Sequence, residues 1–322
     1  MVQDVDSLDG SQDGVRPVFV AGALRSGSTL LRLMLNAHPQ VVNPGEFDFL
    51  FDCIGADGTL PEPEAYRHWL STNRIFQATH LELDASLGFV DQVRDLVAQV
   101  SREGALTALS IHRHFDKVPL VFPDARFIHL LRDPRDVARS SIGMGWAGHV
   151  YHGVNHWIDT ERSWDKLVRD LDPSRWIEVR YEDLVRKPRE TLERIFAFLR
   201  VPYDETALRY MEDSSYAAPD PGLAEQWRRK QTKRELMLVE GKLGDLLTEK
   251  GYEPSGFGPR HPALAERMYL LFLNRWARFR FAVKRYGASL VVRELVSRRL
   301  GLEAWWRRSR MEMNAIDKMH LK

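Results

Sequence analysis

Val18-Phe19-Val20-Ala21-Gly22-Ala23-Leu24-Arg25-Ser26-Gly27-Ser28-Thr29-Leu30-Leu31 is the stretch on which the reading of this 322-residue chain turns. The short apolar run predicts a strand. Two glycines then bracket a tight loop, and the apolar residues Leu30, Leu31, Leu33, Met34 and Leu35 recur at helical spacing. A strand, a glycine loop and a helix start in that order turn successive backbone N–H groups inward at a positive helix terminus, which favours a bound phosphate. The spacing is GxxxxG followed by hydroxyl residues. A glycine turn that merely links strand to helix is the plain alternative, but the cation Arg25, the hydroxyls and the helix start all coincide here.

The loop departs from the nucleotide-triphosphatase pattern. Ser28 stands where a lysine would follow the second glycine, which weakens both a β,γ-phosphate clamp and Mg²⁺-dependent ATP hydrolysis. Arg25 inside the loop suits a bridging anion at the 5′ end of a nucleotide instead. A second stretch, Arg126-Phe127-Ile128-His129-Leu130-Leu131-Arg132-Asp133-Pro134, ends a predicted strand at Arg132 and opens a helix with proline in its first turn. Ser140 follows eight residues after Arg132, so a cation and a hydroxyl can grip one phosphate from two sides. A surface ion pair Arg132–Asp133 with Ser140 facing solvent is the alternative.

Arg25-Ser26-Gly27-Ser28-Thr29-Leu30-Leu31, ending at His38-Pro39, together with Arg132 and Ser140, resembles the donor site of sulfotransferases that use 3′-phosphoadenosine 5′-phosphosulfate (PAPS), most nearly the tyrosylprotein and bacterial type. The resemblance spans about residues 17–252. It implies a P-loop-like α/β fold, a parallel sheet flanked by helices with a helical C-terminal extension, and PAPS as co-substrate without a metal. It also implies that Arg25, Ser26, Gly27, Ser28, Thr29 and Leu30 hold the 5′ side of the donor and Arg132 and Ser140 its 3′-phosphate. Tyr181, in Arg180-Tyr181-Glu182-Asp183-Leu184, is expected near the adenine, or else as a tyrosine closing strand against helix. Arg228, Arg229 and Lys230 sit where the family places a basic loop, though a solvated charge run is the default.

For chemistry the resemblance points to Arg25 on the leaving phosphate and to Glu46, in Pro44-Gly45-Glu46-Phe47, as general base. Burial beside Phe47 and Phe49 would suit such a base. The rivals are His112 and His114 in Ile111-His112-Arg113-His114-Phe115, as base or leaving-group donor. Many relatives carry a lysine in that segment, whereas this chain has none before Lys117. The two histidines show neither helical i, i+4 spacing nor a carboxylate neighbour in sequence, so no metal is expected. The implied reaction moves a sulfuryl group to a hydroxyl, less readily an amine, of a small-molecule, glycan or lipid-linked acceptor. The alternatives are a P-loop-type kinase or a non-catalytic nucleotide-binding or membrane adaptor. Residues 47–105, 141–156 and the tail are expected to build the acceptor pocket.

Composition fits this outline. Hydrophobic residues at 44% and charged residues at 28% describe a globular chain, not a disordered or fibrous one. No apolar run approaches the ~18 residues of a membrane span. The N-terminus reads as neither signal nor transit peptide, and the lone Cys53 allows no internal disulfide, so a cytoplasmic setting is expected. The further elements expected are a helix near 86–102, strands at Thr107–Ile111, Phe127–Leu131 and Trp176–Val179, and helices at 134–144, 151–170 and 188–200.

The net charge of +1 conceals a split: residues 259–322 carry 15 Lys/Arg and 5 Asp/Glu, a net +10, leaving −9 for the rest. An acidic main body argues against extended nucleic-acid contact. The expected organisation is a tail over 1–15, a sulfotransferase domain over 16–258 and a basic amphipathic extension over 259–322. On a helical wheel, Ala265, Tyr269, Phe272, Trp276, Phe279, Val283 and Tyr286 form one apolar face, with Arg267, Arg278 and Arg285 opposite. Two readings stand for that face, which continues towards Trp305 and Trp306. It packs on the body or on a second subunit, or, across 262–310, it rests peripherally on an anionic inner membrane face.

Overall fold

The computed structural model describes residues 16–212 and 214–320; the expected tail over 1–15 lies outside them. Val18-Phe19-Val20-Ala21 forms the central strand, β1, and is buried on both faces. Phe19 and Ala21 enter a core layer with Phe51, Phe122 and Phe127, while Val18 and Val20 enter the opposite layer with Leu31, Leu35 and Ile128. A strand covered on both sides needs no polar alternation, which is why this run is wholly apolar.

The loop feeds α1 (Ser28–Asn36), and β2 (Val41–Val42) follows. The next segment holds α2 (Pro63–Leu70) and α3 (Phe89–Val100), then β3 (Leu106–Ile111) and β4 (Arg126–Leu131). Next come α4 (Pro134–Gly143), α5 (Val150–Gly153), α6 (Asn155–Val168) and β5 (Trp176–Arg180). Then α7 (Tyr181–Arg186), α8 (Pro188–Leu199), α9 (Trp227–Lys230), α10 (Lys233–Leu243) and α11 (Leu246–Glu249) complete the body. The extension is α12 (Leu264–Tyr286), α13 (Ala288–Arg299) and α14 (Glu303–His320).

All pairings are parallel and the strand order is β2-β3-β1-β4-β5. The chain leaves β1 for one side of the sheet and later crosses to the other. The C-terminal ends of β1, β3 and β4 therefore border a topological switch point, where open α/β sheets bind ligands. The sequence reading misses β2, α2, α7 and α10. It also merges α5 and α6, which break at Val154, whose buried side chain joins the core beneath α4.

The inward face of α12 is Leu270 and Asn274, both buried, with Ala277 and Phe281 lying against the glycines of the 144–149 loop. A Cβ on Gly148 would stand 2.5 Å from the Ala277 Cβ, and one on Gly145 would stand 2.1 Å from the Phe281 ring. Asn274 Oδ1 accepts the Gly148 N–H at 2.8 Å. The helix seats there because glycines allow the close approach. Packing of the aromatic face on the body, one of the two readings of that face, is not what is seen: Tyr269, Phe272, Trp276 and Phe279 are exposed. Farther along, α14 returns to the body, where Asn314 Nδ2 donates to the Thr72 carbonyl and Arg307 to Ser71 Oγ.

Candidate active site

The loop after β1 is shaped by two close approaches. A Cβ on Gly22 would lie 2.4 Å from the Leu130 carbonyl oxygen, and one on Gly27 would lie 2.3 Å from the Tyr181 ring. Gly27 also takes a φ of 96°, and Arg25 holds a left-handed φ of 75°, a conformation costing a non-glycine residue about 1–2 kcal/mol. Such strain is characteristic of ligand-binding turns. His156 Nε2 donates to the Leu24 carbonyl at 3.0 Å and steadies the turn. The first turn of α1 carries no acidic side chain, so nothing there neutralises its positive end.

The second stretch arrives where the loop needs it. Arg25 Nε donates to Ser140 Oγ at 2.9 Å, joining segments 115 residues apart. Arg132, mostly buried, donates to the Arg25 carbonyl at 2.9 Å and to the Leu223 carbonyl at 3.0 Å. Its guanidinium lies 4.0 Å from the centre of the Tyr181 ring, and its Nε is buried without a partner. Trp157 Nε1 donates to the Arg132 carbonyl at 2.9 Å and pins the strand tip. Asp133 caps α4 by accepting from the Arg135 N–H. Tyr181 packs into the core beside Leu184 and Leu192 and also lines the cavity.

Arg25, Gly27, Ser28, Thr29, Leu30, Arg132 and Tyr181 line one cavity of about 360 Å³ together with Glu46. Beside it, His112 is clamped. Asp48 accepts from the His112 backbone N–H at 2.7 Å and from His112 Nδ1 at 2.9 Å, while His112 Nε2 lies 3.2 Å from Ser28 Oγ. Burial alone would push the His112 pKa down. The adjacent Asp48 carboxylate, helped by the charge of Glu46, outweighs it, and the imidazole pKa is raised. Asp48 is correspondingly lowered, the attraction of His112 overcoming its own burial. Both shifts run in the direction that favours the charged forms, imidazolium and carboxylate. Glu46, Asp48 and His112 each place one atom within 4.8 Å of the others, a set that could also hold a cation, although both Asp48 oxygens already accept from His112.

Several expectations need correction. His112 does have a carboxylate partner, 64 positions away in sequence and invisible to spacing arguments. His114 turns off the site: its ring lies 3.7 Å from Asp52, and burial followed by nearby Lys117 lowers its pKa. Ser26 does not face the cavity; its side chain is fully buried and its N–H is spent on the Ala23 carbonyl. Arg228, Arg229 and Lys230 are exposed and pair locally with Glu225, the Gly222 carbonyl and Gln226, so they do not line the cavity. Lys117 is no substitute for the missing lysine, since its Nζ is buried on the Ile54 carbonyl. The wall the sequence reading missed is the segment over 215–223, including Tyr216, Ala218 and Pro219, which carries no motif. Of the segments 47–105, 141–156 and the extension, only 141–156 contributes to this cavity, through Trp146.

These features meet in one family. Residues 17–205 match the model of the Sulfotransferase family, and the chain belongs to it. It is 28% identical over 210 residues to a putative protein-tyrosine sulfotransferase of Caenorhabditis briggsae, covering 61% of this chain and 69% of that protein. Over a shorter stretch of 92 residues it is 36% identical to the omega-hydroxy-beta-dihydromenaquinone-9 sulfotransferase of Mycobacterium bovis, covering 24% of each. Among the curated relatives the share of their length that this chain spans runs from 24% to 70%. In fold it is similar to the sulfotransferase domain of a Synechococcus olefin synthase, with a TM-score of 0.55 and 24% identity over 73% of this chain and 97% of that domain.

Proposed function

We propose that this chain transfers the sulfuryl group of PAPS to a hydroxyl acceptor. The observation that carries the reading is that Arg25 and Arg132 line one cavity and are bonded to each other, Arg132 donating to the Arg25 carbonyl, with Ser140 Oγ held 2.9 Å from Arg25 Nε. Arg132 and Ser140 suit the 3′-phosphate, and the loop N–H groups with Arg25, Ser28 and Thr29 suit the 5′ side. The unpartnered Arg132 Nε is the kind of buried donor that a phosphate oxygen would satisfy.

In the transfer, the acceptor oxygen forms a bond to sulfur as the bond from sulfur to the bridging oxygen of the 5′-phosphate breaks. Adenosine 3′,5′-bisphosphate leaves. The acceptor proton goes to Glu46, the carboxylate that lines the cavity. His112, held as an imidazolium by Asp48, is a poor proton acceptor and a good donor. It supports the charge growing on the leaving oxygen, acting through or beside Ser28, and so serves where relatives use lysine. Asp48 is a positioning residue. The names of both relatives denote hydroxyl acceptors, one a protein tyrosine and one an omega-hydroxylated dihydromenaquinone, which supports hydroxyl over amine. A kinase reading is not favoured, because Ser28 occupies the lysine position.

The test is sulfuryl transfer from radiolabelled PAPS to a panel of tyrosyl, glycan and lipid alcohols. Glu46→Gln should abolish transfer while bisphosphate binding persists. His112→Ala should lower kcat by about 10²–10³-fold, the scale of losing one stabilising donor. Undiminished transfer in Glu46→Gln would remove Glu46 as base.

A further inference from the structure

The outward face of α12 has no partner among the described residues. Met268 is 59% exposed, Tyr269 57%, Phe272 62% and Trp276 51%, values that core-facing aromatic residues do not show. At 100° per residue they and Phe279 fall on one stripe, roughly 150° from the face that seats on the body. Trp276 and Phe279 stack with ring centres 6.2 Å apart, making the ridge continuous along the helix. On the wheel Arg275 and Arg280 flank the stripe, with Arg278 and Lys284 beyond them. All four cations are exposed, and none enters an ion pair among the described residues.

We propose that this ridge docks on an anionic lipid surface, its aromatic rings entering the headgroup boundary and its arginines meeting lipid phosphates. Three observations select that occupant. The helix is amphipathic in the interfacial pattern, aromatic on one stripe with unpaired arginines at its edges. A second copy would bring another extension of net +10 against the first, which charge repulsion opposes, whereas an anionic surface attracts it. Finally, no helix among the described residues is long and apolar enough to cross a membrane, so the ridge lies on the surface and does not span. The opposite face of α12 holds the 144–149 loop, whose Trp146 lines the cavity, so α12 connects the ridge to the cavity wall. The binding itself does not depend on the proposed reaction.

The experiment is co-sedimentation of the full chain with phosphatidylcholine vesicles, with and without phosphatidylglycerol, at low and high salt. The expected result is binding to the anionic vesicles alone, weakened by salt. The double variant Phe272→Ser/Trp276→Ser and the charge-reversal variant Arg275→Glu/Arg278→Glu/Arg280→Glu should each reduce binding at least about tenfold. Unchanged thermal unfolding and unchanged bisphosphate binding would show that both variants remain folded. No binding by the wild type, or binding that neither variant reduces, would overturn the proposal. A wild-type dimer that the double variant converts to monomer, without vesicle binding, would assign the ridge to a second copy and likewise overturn it.

Discussion

The donor loop and the C-terminal extension are both basic, yet they are built on opposite principles. At the donor site both arginines are held by fixed partners: Arg25 by Ser140, Arg132 by the Arg25 and Leu223 carbonyls and the face of Tyr181. The backbone around them tolerates almost no added atom. In the extension, Arg275, Arg278 and Arg280 reach into solvent beside exposed aromatic rings. Charge held by fixed partners can recognise one anion of defined shape. Charge on free side chains recognises a surface, and does so with strong dependence on salt.

The contrast can be broken most severely at its structural root. Phe19→Ala, in the strand that launches the loop, should cost about 3–5 kcal/mol, measured by denaturant unfolding, because its ring packs against Phe51, Phe122 and Phe127. A cost under about 1 kcal/mol would mean the sheet core does not anchor the loop. Next, Gly148→Val should cost roughly 1–3 kcal/mol by overpacking against Ala277 and should loosen α12 from the body. Hydrogen exchange would then rise in α12 and leave α1 protected.

The third change concerns protons. His112 has a raised pKa, so its contribution to stability is complete below its ordinary value of about 6.5 and fades as pH climbs through the folded-state value. Asp48 is lowered, so its contribution is present above about 3.9 and fades as pH falls through its folded-state value. Between these limits the pair is fully charged. Transfer should therefore fall on the alkaline side as the imidazolium is lost. Asp48→Asn, which still accepts from the His112 backbone N–H, should move that alkaline limb to lower pH. A limb that stays in place would detach His112 protonation from catalysis. The smallest effect belongs to Phe272→Ala, which should change unfolding stability by no more than about 0.5 kcal/mol because the ring touches solvent.

The two regions also differ in how readily the sequence betrays them. The loop, Arg132 and Ser140 are legible because local spacing dictates their geometry: a glycine turn, a strand end, a proline-opened helix. Asp48 is not, since nothing local connects it to His112; the sheet order brings them together. The wall over 215–223 escapes for a similar reason, having no periodicity and no motif. In the extension, helical periodicity reveals α12 but leaves open which face packs on the body. Hydrophobicity alone ranks Phe272 and Trp276 as core, whereas Asn274, Ala277 and the glycines at 145 and 148 decide the contact through close approach and one hydrogen bond. The basic run at 228–230 stays off the cavity because each side chain bonds to a neighbour on its own turn or strap, Arg228 to Glu225, Arg229 to the Gly222 carbonyl and Lys230 to Gln226.

The central claim is that two distant arginines form one donor site. Isothermal titration with adenosine 3′,5′-bisphosphate, compared with ATP and Mg²⁺ and repeated on Arg132→Ala, tests it most directly. The account predicts tight binding of the bisphosphate, weakened at least about 100-fold by the substitution, a loss expected when a charged hydrogen-bond donor is removed from a buried site. Binding of ATP with Mg²⁺ in preference to the bisphosphate, or bisphosphate binding that survives Arg132→Ala, would contradict it.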